Sequence, residues 1–138
     1  MAFSNYGSTQ VLNGLIGKGS SGPLSSCYIA LSTTAPNADG TNFTEPPTSA
    51  GYARGIIGLS GQSSTQVMSP PSEGSTHNTS IIFFPEATAS WGTITHFGLY
   101  SSATGGNLVL YGALTNPIAV AANYVPLFRV GNFSLTLS

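Results

Sequence analysis

The residues able to do chemistry are few. Apart from the tyrosines and the chain termini, the titratable groups are His77, His96, Asp39, Glu45, Glu73, Glu86, Lys18, Arg54, Arg129 and Cys27. Nucleophilic catalysis needs a serine or cysteine beside a base that a third group orients. A serine, His96 and any one of the four acids would supply the residue types, but no spacing selects such a set. Gly58-Leu59-Ser60-Gly61 lacks the spacing of a nucleophile elbow. His77 falls in a polar loop and His96 inside a strand pattern, where a half-buried structural imidazole is the simpler assignment. Glycoside hydrolysis would need two carboxylates flanking the sugar bond. All four acids fall in loop-like or turn-like segments, and no pairing stands out.

Other motifs weaken in the same way. Gly14, Gly17, Lys18 and Ser20 have the composition of a phosphate loop, but that loop needs Gly where Leu12 stands and Ser or Thr where Gly19 stands. A helix end explains the run better. Asn37-Ala38-Asp39-Gly40-Thr41-Asn42 is the one calcium-like cluster of oxygen ligands, and a solvated turn explains it equally well. Cys27 is the single cysteine, which precludes an intrachain disulfide and a cysteine-based metal site; its neighbours Tyr28, Ile29 and Leu31 mark it as a small buried strand residue. Trp91, Tyr100, Tyr111 and Tyr124 could stack on sugars, although such residues more often fill a core or anchor an interface. No metal and no cofactor is expected.

Bulk composition points the same way. Charged residues make up 5% of the 138-residue chain, against about 25% in an ordinary soluble domain. The polar exterior must then be built from Ser, Thr, Asn and Gly. With a net charge of −1 and three scattered cations, no face can match a phosphate backbone, so nucleic acid is not an expected partner. No segment has the length and apolarity of a membrane span, and the first residues lack the charged and apolar regions of a secretory signal. Near-neutral surfaces repel their own copies weakly, which favours assembly.

The elements follow from pattern. Val11, Leu12, Leu15 and Ile16 share one helical face, with Ser8 as the expected cap and Gly17-Lys18-Gly19 as the end. So short a helix needs a packing partner to persist. Strands are expected at Cys27 to Thr34, Tyr52 to Leu59, around Gln66-Val67-Met68, and over the continuous apolar run Ser80 to Phe84. Trp91 to Tyr100 alternates, with Trp91, Thr93, Thr95, Phe97 and Leu99 on one side and Gly92, Ile94, His96, Gly98 and Tyr100 on the other. Thr104-Gly105-Gly106 marks a hairpin answered by Leu108 to Leu114. Asn116-Pro117 breaks the chain before Ile118 to Ala121, Tyr124 to Val130, and a closing strand on Phe133, Leu135 and Leu137. The expected fold is all-β, an antiparallel jelly-roll-like β-sandwich over residues 27–138, with a short N-terminal helix or arm over 1–26 in one domain.

One succession of residues is more specific: Tyr28-Ile29-Ala30-Leu31-Ser32-Thr33-Thr34-Ala35-Pro36, Gly51-Tyr52-Ala53-Arg54, Phe84-Pro85, Trp91-Gly92-Thr93-Ile94-Thr95-His96-Phe97-Gly98-Leu99-Tyr100 and Tyr111-Gly112-Ala113-Leu114. It resembles a widespread family of small structural proteins of tailed bacteriophages, described as head decoration (cement) proteins or as tail-fibre-like proteins. The resemblance implies a homotrimeric β-sandwich, made in the host bacterial cytoplasm and placed on the virion, that catalyses nothing. In the cement version it binds the outer capsid surface and bridges capsomers of the major capsid protein. That version is the first expectation, because fibres usually carry repeats or coiled-coil shafts and this chain has neither. A tail-fibre or receptor-binding module is the alternative, and a glycan-binding β-sandwich the third. The polar loop from Ser60 to Ser80 departs from the resemblance, so its contacts cannot be carried over. Interface candidates are Arg54 and Arg129, which can make forked hydrogen bonds between subunits or inside the chain, and Trp91, assigned to the core or to the trimer seam.

Overall fold

The computed structural model of the chain describes residues 1–17, 27–58 and 67–136. The expected helix end at Lys18-Gly19, part of the polar loop (59–66) and the last two residues lie outside the described residues. Among the described residues one α-helix, α1 (Asn5–Ile16), follows β1 (Ala2–Phe3), and a short 3-10 turn covers Thr48–Ala50. The other strands are β2 (Cys27–Ser32), β3 (Gly55–Gly58), β4 (Ser75–His77), β5 (Ile82–Phe83), β6 (Gly92–Tyr100), β7 (Leu108–Val120), β8 (Leu127–Phe128) and β9 (Ser134–Thr136). All pairings are antiparallel. A five-stranded sheet runs in the order β1-β7-β6-β2-β3, and β4-β9 and β5-β8 form two ribbons. Ile29, Leu31, Phe97 and Leu99 of the sheet share one core with Ile82, Phe84 and Phe133 of the ribbon segments. The fold is therefore all-β and sandwich-like, with its facing layer divided in two.

The β6–β7 hairpin is the spine. The alternation over Trp91 to Tyr100 does not run through unbroken. Between Ile94 and His96 the register with β7 shifts, Ile94 facing Ile118 and His96 facing Ala113. The bulge turns Ile94 onto the side of Phe97 and Leu99, and all three join the main core. The same irregularity absorbs Asn116-Pro117. The expected break is instead a bulged stretch of one strand, where a missing N–H costs no ladder bond. The loop from Ser101 to Asn107 closes on itself through Ser101 N–H to Asn107 O at 3.1 Å and Asn107 N–H to Ser101 Oγ at 3.0 Å.

Elsewhere the strands are shorter than their apolar runs. Only Ile82–Phe83 of the run Ser80 to Phe84 is strand, and burial alternates: Ile82 and Phe84 are inside, Ile81 and Phe83 outside. The second expected strand begins only at Gly55 and is described to Gly58, its expected last residue, Leu59, lying outside the described residues. Around Val67 and Met68 the described residues make an isolated bridge, Met68 with Asn78, while Gln66 lies outside them. Asn78 is fully buried. Its Oδ1 accepts from Phe133 N–H at 3.0 Å, and its Nδ2 donates to Ser80 O and Arg129 O, both at 2.9 Å, tying the 129–133 turn to β4.

Helix α1 begins earlier than its apolar face suggests. Ser4, not Ser8, is the cap: its Oγ accepts from Gly7 N–H at 2.9 Å, while Gly17 in the left-handed region (φ 68) ends the helix. Ser4 wins because its side chain is buried against β7, donating to the Leu108 and Val109 carbonyls. Gly7 touches β7 so closely that a Cβ there would stand 1.9 Å from Val109 O. The first turn is thereby fastened to the sheet, and the segment read as an arm starts as the sheet's outermost strand.

Trp91 is 3% exposed, donates from Nε1 to Ala50 O at 2.8 Å, and meets the Tyr52 ring edge-on at a centroid distance of 5.3 Å. Trp91→Ala should cost about 3–5 kcal/mol of unfolding free energy, measured by urea titration. Gly7→Val should release the helix from β7 while leaving the sheet intact, read as loss of amide protection confined to residues of α1.

Candidate assembly surfaces

Arg54 and Glu45 are engaged with each other within the chain. Arg54 has a side chain only 6% exposed. Its Nε and Nη2 donate to the two Glu45 carboxylate oxygens, each at 2.8 Å, and Nη1 donates to Ser102 O and Gly105 O at 2.8 Å. The guanidinium carbon lies 3.8 Å from the centroid of the Tyr100 ring. Tyr52 completes the cluster: its hydroxyl donates to Glu45 Oε1 at 2.7 Å and accepts from Leu31 N–H at 3.1 Å. Burial works against the Glu45 charge, but the hydrogen bonds from Arg54 and Tyr52 and the charge of Arg54 outweigh it and hold the carboxyl below the ordinary glutamate range. Burial and the neighbouring Glu45 push the Tyr52 phenol far up.

The remaining groups stay apart. Asp39 accepts from Thr41 N–H at 2.9 Å and Thr41 Oγ1 at 2.6 Å in an exposed turn, which lowers its carboxyl. Asn37 donates to Thr41, and Asn42 to Ala35 O, so the calcium-like cluster satisfies itself as a turn. His77 Nδ1 lies 3.3 Å from Ser69 Oγ and His96 Nδ1 lies 2.8 Å from Thr95 Oγ1; among the described residues neither imidazole is bonded to a carboxylate. Cys27 is half-buried and its thiol is pushed up by that burial. Of the four aromatics considered for sugar stacking, Trp91 and Tyr100 are core residues, Tyr111 is half-buried and Tyr124 is exposed. They form no common platform. Of the interface candidates, Arg54 and Trp91 are consumed inside the chain, and Arg129 is exposed.

Two groups of exposed apolar side chains stand out among the described residues. On α1, Val11, Leu12, Leu15 and Ile16 are all exposed, Leu12 by 57% and Leu15 by 79%. The stripe is legible in the sequence, but the described residues of its own chain leave it exposed. The second surface is a groove of about 580 Å³ between β3 and β5, walled by Ile56, Ile81, Phe83 and Val125, with Phe83 66% exposed. The apolar run Ser80 to Phe84 reads in sequence as one continuous strand. Its alternate members are what build the groove. Exposed apolar side chains gathered in patches mark surfaces that other proteins cover.

The Arg54 cluster generates a test. Because the folded carboxyl of Glu45 titrates below its unfolded value, its contribution is complete above the ordinary glutamate range and disappears as pH falls through the depressed value. Glu45→Gln should cost about 2–3 kcal/mol at neutral pH, below the full range for a buried pair because Glu45 keeps some contact with water. It should also flatten the acid limb of stability against pH, measured by urea unfolding at a series of pH values.

Comparison with known proteins adds one finding. The sequence model of the family described as podophage GP4 fiber I protein gp80 matches residues 2–136, from the outermost strand through β9. No curated protein sequence matches significantly. The match runs over both apolar surfaces and the Arg54 cluster alike, and on that extent the chain belongs to the podophage GP4 fiber I protein gp80 family, a family of bacteriophage structural proteins.

Proposed function

We propose that this chain is a fibre subunit of a podophage virion. It works by assembling with its own copies, as a trimer, and with a neighbouring virion protein, and it carries out no reaction. The observation that carries this is the family match over nearly the whole chain, whose description names a fibre. The physical chemistry supports it. A chain with 5% charged residues that spends Arg54 and Glu45 on each other internally has little charge left to desolvate at an interface. Two exposed apolar surfaces supply the burial that association needs. Weak contacts suffice, because linked copies raise the effective concentration for each further contact.

Capsid decoration, the first expectation from sequence, relies on the same neutral and apolar contacts and differs in the neighbour. The family description favours the fibre over the head. The two are separated by place and number: in cryo-electron microscopy of intact virions, the expected result is density for this fold in a small number of symmetric copies on the tail. Copies covering the head in numbers comparable to the major capsid protein would overturn the fibre reading in favour of decoration. Purified protein incubated with host surface polysaccharide should release no sugar; release abolished by changing one of Asp39, Glu73 or Glu86 would overturn the non-catalytic role.

A further inference from the structure

The helix offers more than an exposed patch. We infer that α1 is the seam through which copies of this chain associate, each helix packing its Val11–Ile16 stripe against the same stripe of its neighbours around a common axis. This rests on the homo-oligomeric part of the function proposed above and names the element that performs it.

Three observations lead there. First, among the described residues the helix is fastened at one end only. Ser4 and Gly7 hold the first turn to β7, and Gly7 is its one buried residue. The two turns beyond have no support from the chain's own core. Second, those turns carry all four large apolar side chains of the helix, and each is exposed. A twelve-residue helix is marginal in water by itself, so burial of the stripe and order of the helix are gained in one step.

Third, the chemistry selects a copy of itself as the occupant. Close to a symmetry axis side chains meet their own duplicates, so a charge there would face the same charge. Asn5–Ile16 contains none, and Lys18 beyond its end lies outside the described residues. Its polar residues are Asn5, Tyr6, Ser8, Thr9, Gln10 and Asn13, whose hydroxyl and amide groups both donate and accept and can therefore bond to their own duplicates. A charged partner, such as an acidic peptide or a phosphate-bearing surface, finds no complementary group on α1. The β3–β5 groove, by contrast, is flanked by Glu86 and is left for the neighbouring virion protein.

The test is the oligomeric state of the full chain by sedimentation over a wide concentration range. Wild type should associate, and Leu12→Glu and Leu15→Glu, both at exposed positions, should each raise the dissociation constant at least 100-fold. Phe83→Glu in the groove should leave association unchanged. Because a charged residue could also unwind the helix, Leu15→Cys provides a second measurement: mild oxidation should link it between copies, whereas Phe83→Cys should not link. A wild-type chain that stays monomeric, a Leu15→Glu chain that associates normally, or linking through position 83 alone would each overturn the seam. Failure here is distinct from failure of the fibre reading. An oligomer joined through another face and found on the tail sinks only the seam, while a helix-joined oligomer found all over the head sinks only the fibre.

Discussion

A guanidinium withdrawn from water sets the terms for the upper half of this β-domain. Arg54 cannot lose its proton, and burying it is tolerable only if its donors meet acceptors. The two Glu45 oxygens and two carbonyls of the Ser101–Asn107 loop take four of its five N–H groups, and the Tyr100 ring covers one face. Three stretches are tied by one side chain: the segment around Glu45, the entry to β3 nine residues on, and the loop joining the two longest strands, where Ser102 lies 48 residues from Arg54. Tyr52 extends the constraint inward, because the hydroxyl that serves Glu45 also takes the Leu31 N–H of β2. An ion pair of this kind is weak as a source of net stability. Its effect is to leave one loop arrangement without a competitor.

The sequence shows that Arg54 is special but cannot show with what. Glu45 lies beyond Pro46-Pro47 and a helical turn, and Ser102 and Gly105 contribute backbone carbonyls, which every residue possesses. Periodicity reads side chains, so it finds the β6–β7 hairpin, the closing strand and the apolar face of the helix. It misses events governed by the backbone. The bulge that swings Ile94 to the core side is one, and the carriage of Pro117 within a strand is another. Ser8 looks like the cap because it stands next to the apolar stripe. Ser4 is the cap because its hydroxyl can be buried on the Leu108 and Val109 carbonyls, a contact about a hundred residues away in sequence.

The candidate surfaces were half legible. The stripe on α1 is plain from spacing, but spacing alone cannot say whether a stripe faces the chain's own core or another molecule. The groove by β5 was hidden, since a continuous apolar run gives no sign of which members will point outward until the ribbon's partner is known. Its alternation, Ile82 and Phe84 in, Ile81 and Phe83 out, comes from pairing with β8. Individual aromatic and charged residues that attract attention in a sequence, Trp91 and Arg54 among them, went to holding the fold. The exposed apolar surface is built instead from aliphatic residues of α1 and from Ile56, Ile81, Phe83 and Val125.

The outer strands of the main sheet are β1, two residues long, and β3, four residues long. A neutral, apolar-surfaced β-protein made in quantity is in danger of zipping edge to edge into amorphous or fibrillar deposits, because unpaired backbone groups template strand addition without regard to sequence. Borders this brief give an incoming strand almost nothing to register against. Growth through these edges is thereby disfavoured, and any assembly has to rest on side chains, which can tell one neighbour from another.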